Sequence, residues 1–170
     1  MEIKNVQKQK GFTLVEIAIV LVIIGLLLGG VLKGQELITN AKIKSVTSDF
    51  DNISAAYYAY QDRTGKTAGT TTGTMVDADF WADLRSEGFI NGLSGVASGP
   101  EHALDGYWTA GSGDPFPGKN WICADNIIDT YASGMDKKKD DGVGTSGSMK
   151  TTNGVVYTAT GALQTVCHEL

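Results

Sequence analysis

Residues 12–32 read FTLVEIAIVLVIIGLLLGGVL, 21 residues with one charge, Glu16. As a helix this run is about 31 Å long at 1.5 Å per residue, enough to cross the hydrocarbon core of a bilayer. A carboxylate four residues into such a run is costly in lipid, so Glu16 marks a function or a partner. The preceding stretch, MEIKNVQKQKG at 1–11, is short and polar, and Lys4, Lys8 and Lys10 favour an N-terminus left in the cytoplasm. Lys33, Lys42 and Lys44 follow the run, so the charge asymmetry alone does not fix the orientation. An ordinary secretory signal fits badly, because the run is too long and no A-x-A-like site follows it. A plain membrane anchor leaves Glu16 unexplained.

Working outward, the 170-residue chain suits one modest globular domain plus this extra element. The formal net charge is −5, a poor basis for wrapping nucleic acid, and DNA binding is not indicated. The run Lys137-Lys138-Lys139 is flanked by Asp136, Asp140 and Asp141 and reads as a solvated charged turn. Most of the 22 glycines lie after Thr64, which predicts a loop-rich second half. Two cysteines, Cys123 and Cys167, cannot make a structural zinc site alone. In an exported domain they read as one disulfide, closing a loop of about 45 residues with a stabilisation of roughly 4 kcal/mol. Two unrelated buried thiols are the other reading.

The helical pattern continues beyond Lys33. Val46, Phe50, Ile53, Tyr57 and Tyr60 follow 4, 3, 4, 3 spacing, one apolar face, and Gly65 is a natural stop. One helix over 12–63 is expected, with 12–32 as its membrane or core segment. Residues 64–76 read as a Gly/Thr loop. Residues 77–90 read as a short amphipathic helix capped by Asp77 or Asp79 and ended by Gly88. Residues 106–109 and 120–124 look like strands, 126–138 like a second short helix, and 155–158 with 163–167 like a hairpin around Gly161. The sum is α+β: a long N-terminal helix packed on a small antiparallel sheet, with a C-terminal disulfide loop.

Lys10-Gly11-Phe12-Thr13-Leu14-Val15-Glu16 resembles the leader and processing motif of type IV prepilins. The resemblance covers roughly residues 4–60. It implies a type IV pilin-like fold, with 1–11 a leader peptide, 12–63 the long helix and 64–170 the head domain. It implies cleavage after Gly11 by a prepilin peptidase and N-methylation of Phe12. It also implies that Glu16 pairs with the terminal amine of a neighbouring subunit and so sets register. A buried carboxylate needs a cation, and the α-amino group of another copy is the one at that depth. The implied function is a structural subunit, assembled as a helical homopolymer by dedicated pilus assembly machinery. A minor pilin or a type II secretion pseudopilin is the alternative within the family. From another class, the alternative is a membrane-anchored periplasmic enzyme or binding protein. The implied location is the inner membrane as precursor, then an extracellular pilus, or the periplasm for a pseudopilin. Major pilins often carry a proline in the run. Here Gly25, Gly29, Gly30 and Gly34 stand instead, and local softening at 25–34 is expected.

No catalysis is expected, since no P-loop, G-x-S-x-G or H-E-x-x-H appears and His102 and His168 stand alone. No cofactor is expected, calcium apart. Some pseudopilins hold that ion in a C-terminal loop, and Asp136, Asp140 and Asp141 are the densest oxygen cluster here. The intervening lysines and the missing EF-hand spacing argue for a charged turn, with Asp141 capping Gly142–Thr145.

Overall fold

The apolar run and the amphipathic segment after it form one unbroken helix, α1, Leu14–Thr64. This is a computed structural model, and it describes residues 11, 13–70, 73–152 and 154–170. The leader residues 1–10 and Phe12 lie outside the described residues. α1 begins at Leu14 because Thr13 supplies the cap: its carbonyl accepts from Ile17 N and its hydroxyl from Glu16 N. It ends at Gly65, whose φ of 68° suits glycine and whose N–H closes on Gln61 O. Residues 25–34 stay within the helix. Glycine lowers helix propensity but keeps its N–H, so the hydrogen-bond ladder survives where proline would break it.

The chain divides into two compact units, Met1–Asn40 and Ala41–Leu170. In the second unit follow α2 (Asp77–Ser86), β1 (Trp108–Gly113), β2 (Phe116–Ile128), α3 (Asp129–Lys139), β3 (Met149–Thr151) and β4 (Leu163–Glu169). The four strands make one antiparallel sheet in the order β1-β2-β4-β3. Its core is built on the predicted α1 face, with Val46, Phe50, Ile53, Tyr57 and Tyr60 all buried. Phe80, Trp81 and Leu84 of α2 join them, with Ile122, Ala124, Ile127 and Val166 from the sheet and Ala132 and Met135 from α3. Phe50 meets Trp108 edge to face, ring centres 4.7 Å apart. Residues of opposite parity on β2 face away from this core, where Cys123 pairs with Cys167 beside Phe116 and Trp121.

Several local expectations are corrected. Val76, not an aspartate, occupies the N-cap position of α2, and no side chain caps it. The helix expected at 126–138 starts only at Asp129. A bulge with Asn126 at φ 55° carries β2 on to Ile127 and Ile128, which pair with Gln164 and Leu163. The strand expected at 155–158 does not form. β4 pairs instead with Met149–Thr151, while the Thr151 hydroxyl binds Val155 N at 2.9 Å and draws the following segment into a loop. The Asp129 carboxylate then holds that loop through Thr160 N at 2.7 Å and Gly161 N at 3.0 Å.

Candidate functional site

Glu16 sits in the first turn of α1, three residues after the cap. One of its oxygens, Oε2, accepts Thr13 N–H at 2.8 Å and the Thr13 hydroxyl at 2.9 Å, while Glu16 N reaches Thr13 Oγ1 at 3.2 Å. This is a reciprocal capping box, and it satisfies two donors that a helix N-terminus leaves open. Its T-x-x-E spacing stands in the sequence as Thr13-Leu14-Val15-Glu16. Oε1 has no partner among the described residues. Every atom of the box lies after Gly11, so removing residues 1–11 would leave it whole. Around it, the large apolar side chains from Leu14 to Leu32 are between 46 % (Ile24) and 91 % (Leu14) exposed. An apolar face of that extent demands lipid or other protein. A Cβ at Gly25, Gly29, Gly30 or Gly34 would meet nothing within 4 Å, so those positions are open to close approach by another helix.

The cysteines form the bridge, Cys123–Cys167, across directly opposed residues of β2 and β4. Both are almost wholly buried, at 1 % and 0 % exposure.

Asp136, Asp140 and Asp141 do come together, with carboxylate oxygens within 4.8 Å of one another. The chain already uses them. Asp136 accepts Gly142 N at 3.1 Å and Tyr157 OH at 2.8 Å. Asp140 Oδ2 accepts Ser148 N and Met149 N, and Asp141 accepts Val143 N at 2.8 Å and Ser146 Oγ at 2.7 Å. Only Asp140 Oδ1 lacks a donor among the described residues. These bonds lock the turn, but it is not the solvated charged turn expected: Lys137, Lys138 and Lys139 are in the last turn of α3 and Asp136 is fully buried. Burial, then the neighbouring Asp141 and Asp140 charges, push the Asp136 carboxyl up against those bonds. Burial and the bond to Asp136 push the Tyr157 phenol up strongly.

His102 is buried and His168 is half-buried. His102 is 6 % exposed, takes Leu104 N–H on Nδ1 and lies 3.0 Å from Asp125 O through Nε2, so it is neutral with its proton on Nε2. His168 has a buried Nδ1 without a partner among the described residues, and Lys139 lies near its ring. Burial lowers the pKa of both from 6.5. Below pH 6.5 the unfolded chain therefore takes up protons that the folded chain refuses, and stability falls as pH drops until the folded pKa is reached. Between pH 7.5 and 5.5 the denaturation free energy is expected to fall with a slope of at most about 1.4 kcal/mol per pH unit per histidine. His168→Gln should flatten that slope by roughly half. An unchanged slope in urea titrations would place the pH response elsewhere.

A cleft of about 330 Å³ lies among Asp49, Ile53, Phe89, Glu101 and Trp108. Its lining pairs no nucleophile with a base.

The chain thus carries a capped, exposed helix long and apolar enough to cross a membrane, followed by an α+β unit with a buried disulfide. A family model described as the prokaryotic N-terminal methylation motif matches residues 6–32. The match takes in the polar stretch before the apolar run and the run itself, with Gly11, Phe12 and Glu16 inside it. Among solved structures it is similar to the major type IV pilin PilA1 from Clostridium difficile, at 14 % identity and a TM-score of 0.46, over 76 % of this chain and 93 % of that one. The chain has no match among curated proteins.

Proposed function

We propose that the chain is made as a precursor, cleaved after Gly11, methylated on Phe12 and built into a helical filament through residues 12–32. The observation that carries this reading is the methylation motif at 6–32 running into an apolar helix with Glu16 at its first turn. Glu16 supports a register role because one oxygen has no partner among the described residues while the other caps its own helix. A neighbour's α-amino group reaching Oε1 satisfies both charges without opening the box. A slipped neighbour leaves both unpaired, so only one axial offset is stable. The bare apolar run holds the precursor in the inner membrane until assembly, with a prepilin peptidase and assembly machinery as its transient partners.

Mass spectrometry of filaments sheared from cells tests the reading. The main band is expected to be this chain, beginning at a methylated Phe12. Trace recovery assigns a minor pilin and periplasmic retention a pseudopilin. A chain found uncleaved and outside any filament would overturn the proposal.

A further inference from the structure

The sheet ends in two edge strands, and an exposed edge offers unpaired N–H groups to any passing strand. On β1, Asp125 N donates to Tyr107 O, which sets the alternation. Trp108 and Ala110 then point their N–H groups away from β2. Each meets an acceptor from its own chain: Pro100 O at 3.0 Å from Trp108 N, and Asp77 Oδ1 at 2.6 Å from Ala110 N. On β3, Glu169 N donates to Ser148 O and Thr152 N to Thr165 O, so Met149 and Thr151 face outward. They too are closed, Met149 N by Asp140 Oδ2 at 3.0 Å and Thr151 N by Gly144 O at 2.8 Å.

The backbone is fitted to these contacts. A Cβ on Gly99 would fall 1.7 Å from the Trp108 carbonyl, so that segment lies along β1 only because it is glycine. A Cβ on Gly147, which sits at φ +75°, would fall 1.8 Å from Asp140 Oδ2. The two edges share no residue, yet on each one carboxylate and one backbone carbonyl take two outward N–H groups. Each aspartate also serves its own neighbourhood: Asp77 Oδ1 accepts Trp81 Nε1 at 2.7 Å, and Asp140 is the C-cap residue of α3 and accepts Ser148 N.

We propose that Asp77 and Asp140 are edge guards, which keep the sheet closed to strand addition by a second copy of the chain. Copies crowded in a membrane or along a filament then meet only through other surfaces. Without either carboxylate, the Ala110 or Met149 N–H loses its acceptor. The inference goes beyond the filament reading and holds whether or not that reading does.

The test uses the full chain in detergent, with Asp77→Ala, Asp140→Ala, the corresponding Asn variants and Ile127→Val as a core-loosening control. Association is followed by sedimentation, and strand pairing by the infrared band of intermolecular sheets, at matched fraction folded. The Ala variants are expected to form strand-paired oligomers at least about tenfold faster than the parent. The Asn variants, whose amide oxygen accepts the same N–H, should stay near the parent. Gly147→Ala, which displaces the Asp140 carboxylate without removing it, should behave like Asp140→Ala and stands in if that variant does not fold. Ala and Gly147 variants as dispersed as the parent, or equal association by Ile127→Val, would overturn the proposal.

Discussion

Glu16→Gln is expected to leave the chain processed and membrane-inserted while sheared filament falls roughly a hundredfold, because a neighbour's ammonium then has no counter-charge in an apolar core. The choice of glutamine matters. A capping box accepts Glu or Gln at this position, so the variant keeps the bonds to Thr13 and removes only the charge. Glu16→Ala removes both and should assemble no better. Thr13→Val does the reverse: it loses the hydroxyl half of the box and keeps the carboxylate, and a moderate loss is expected. The ordering separates two jobs held by one side chain. Normal filaments from Glu16→Gln would show that capping, not charge pairing, is what assembly needs from Glu16. Membrane insertion, read by carbonate extraction, should be the same in all three, since the apolar run is untouched.

The features that were legible in the sequence are those with a period or a fixed spacing. The face Val46-Phe50-Ile53-Tyr57-Tyr60 was readable because a helix imposes 3.6 residues per turn, and it is the buried face of α1. The two cysteines were readable because an exported domain with two thiols has a single pairing open to it. Strand identity at the far end was not readable by the same means. Val155-Val156-Tyr157-Thr158 has strong strand propensity, yet the sheet takes Met149–Thr151. The choice is made by side-chain acceptors: Asp140 positions the N–H groups of Ser148 and Met149, and Thr151 turns the chain at Val155. Such bonds join residues 4 to 9 apart in loops and leave no periodic trace. Asp77 misled for a related reason. It looks like a helix cap, but its carboxylate is spent on Trp81 Nε1 at 2.7 Å and on Ala110 N, 33 positions away. The capping box at Thr13 is a different case: it is local, and its T-x-x-E spacing is legible in the sequence.

Replacing both cysteines, as Cys123→Ala with Cys167→Ala, is expected to lower stability by roughly 4 kcal/mol, the chain-entropy value for a closed loop of this size. That is a large share of the roughly 5–15 kcal/mol typical of a domain. It corresponds to a fall in melting temperature of roughly 10–20 °C. The double variant avoids the stray thiol that a single substitution would leave to cross-link copies. The bridge matters here because of where its loop runs. Cys123 is on β2 and Cys167 on β4, with a separation of 44. Between them lie α3, the edge strand β3 and two irregular segments, so the pairing of the two central strands is a long-range closure. Without the bond, the ladder from Trp121↔Glu169 to Ile128↔Leu163 must close that loop alone. The loss should appear as faster unfolding in denaturant with the sheet still formed in water, and reductant should act on the parent only once the head opens, since both sulfurs are buried. A fall below about 1 kcal/mol would mean that the unfolded chain already holds these strands near each other, so the bond constrains little.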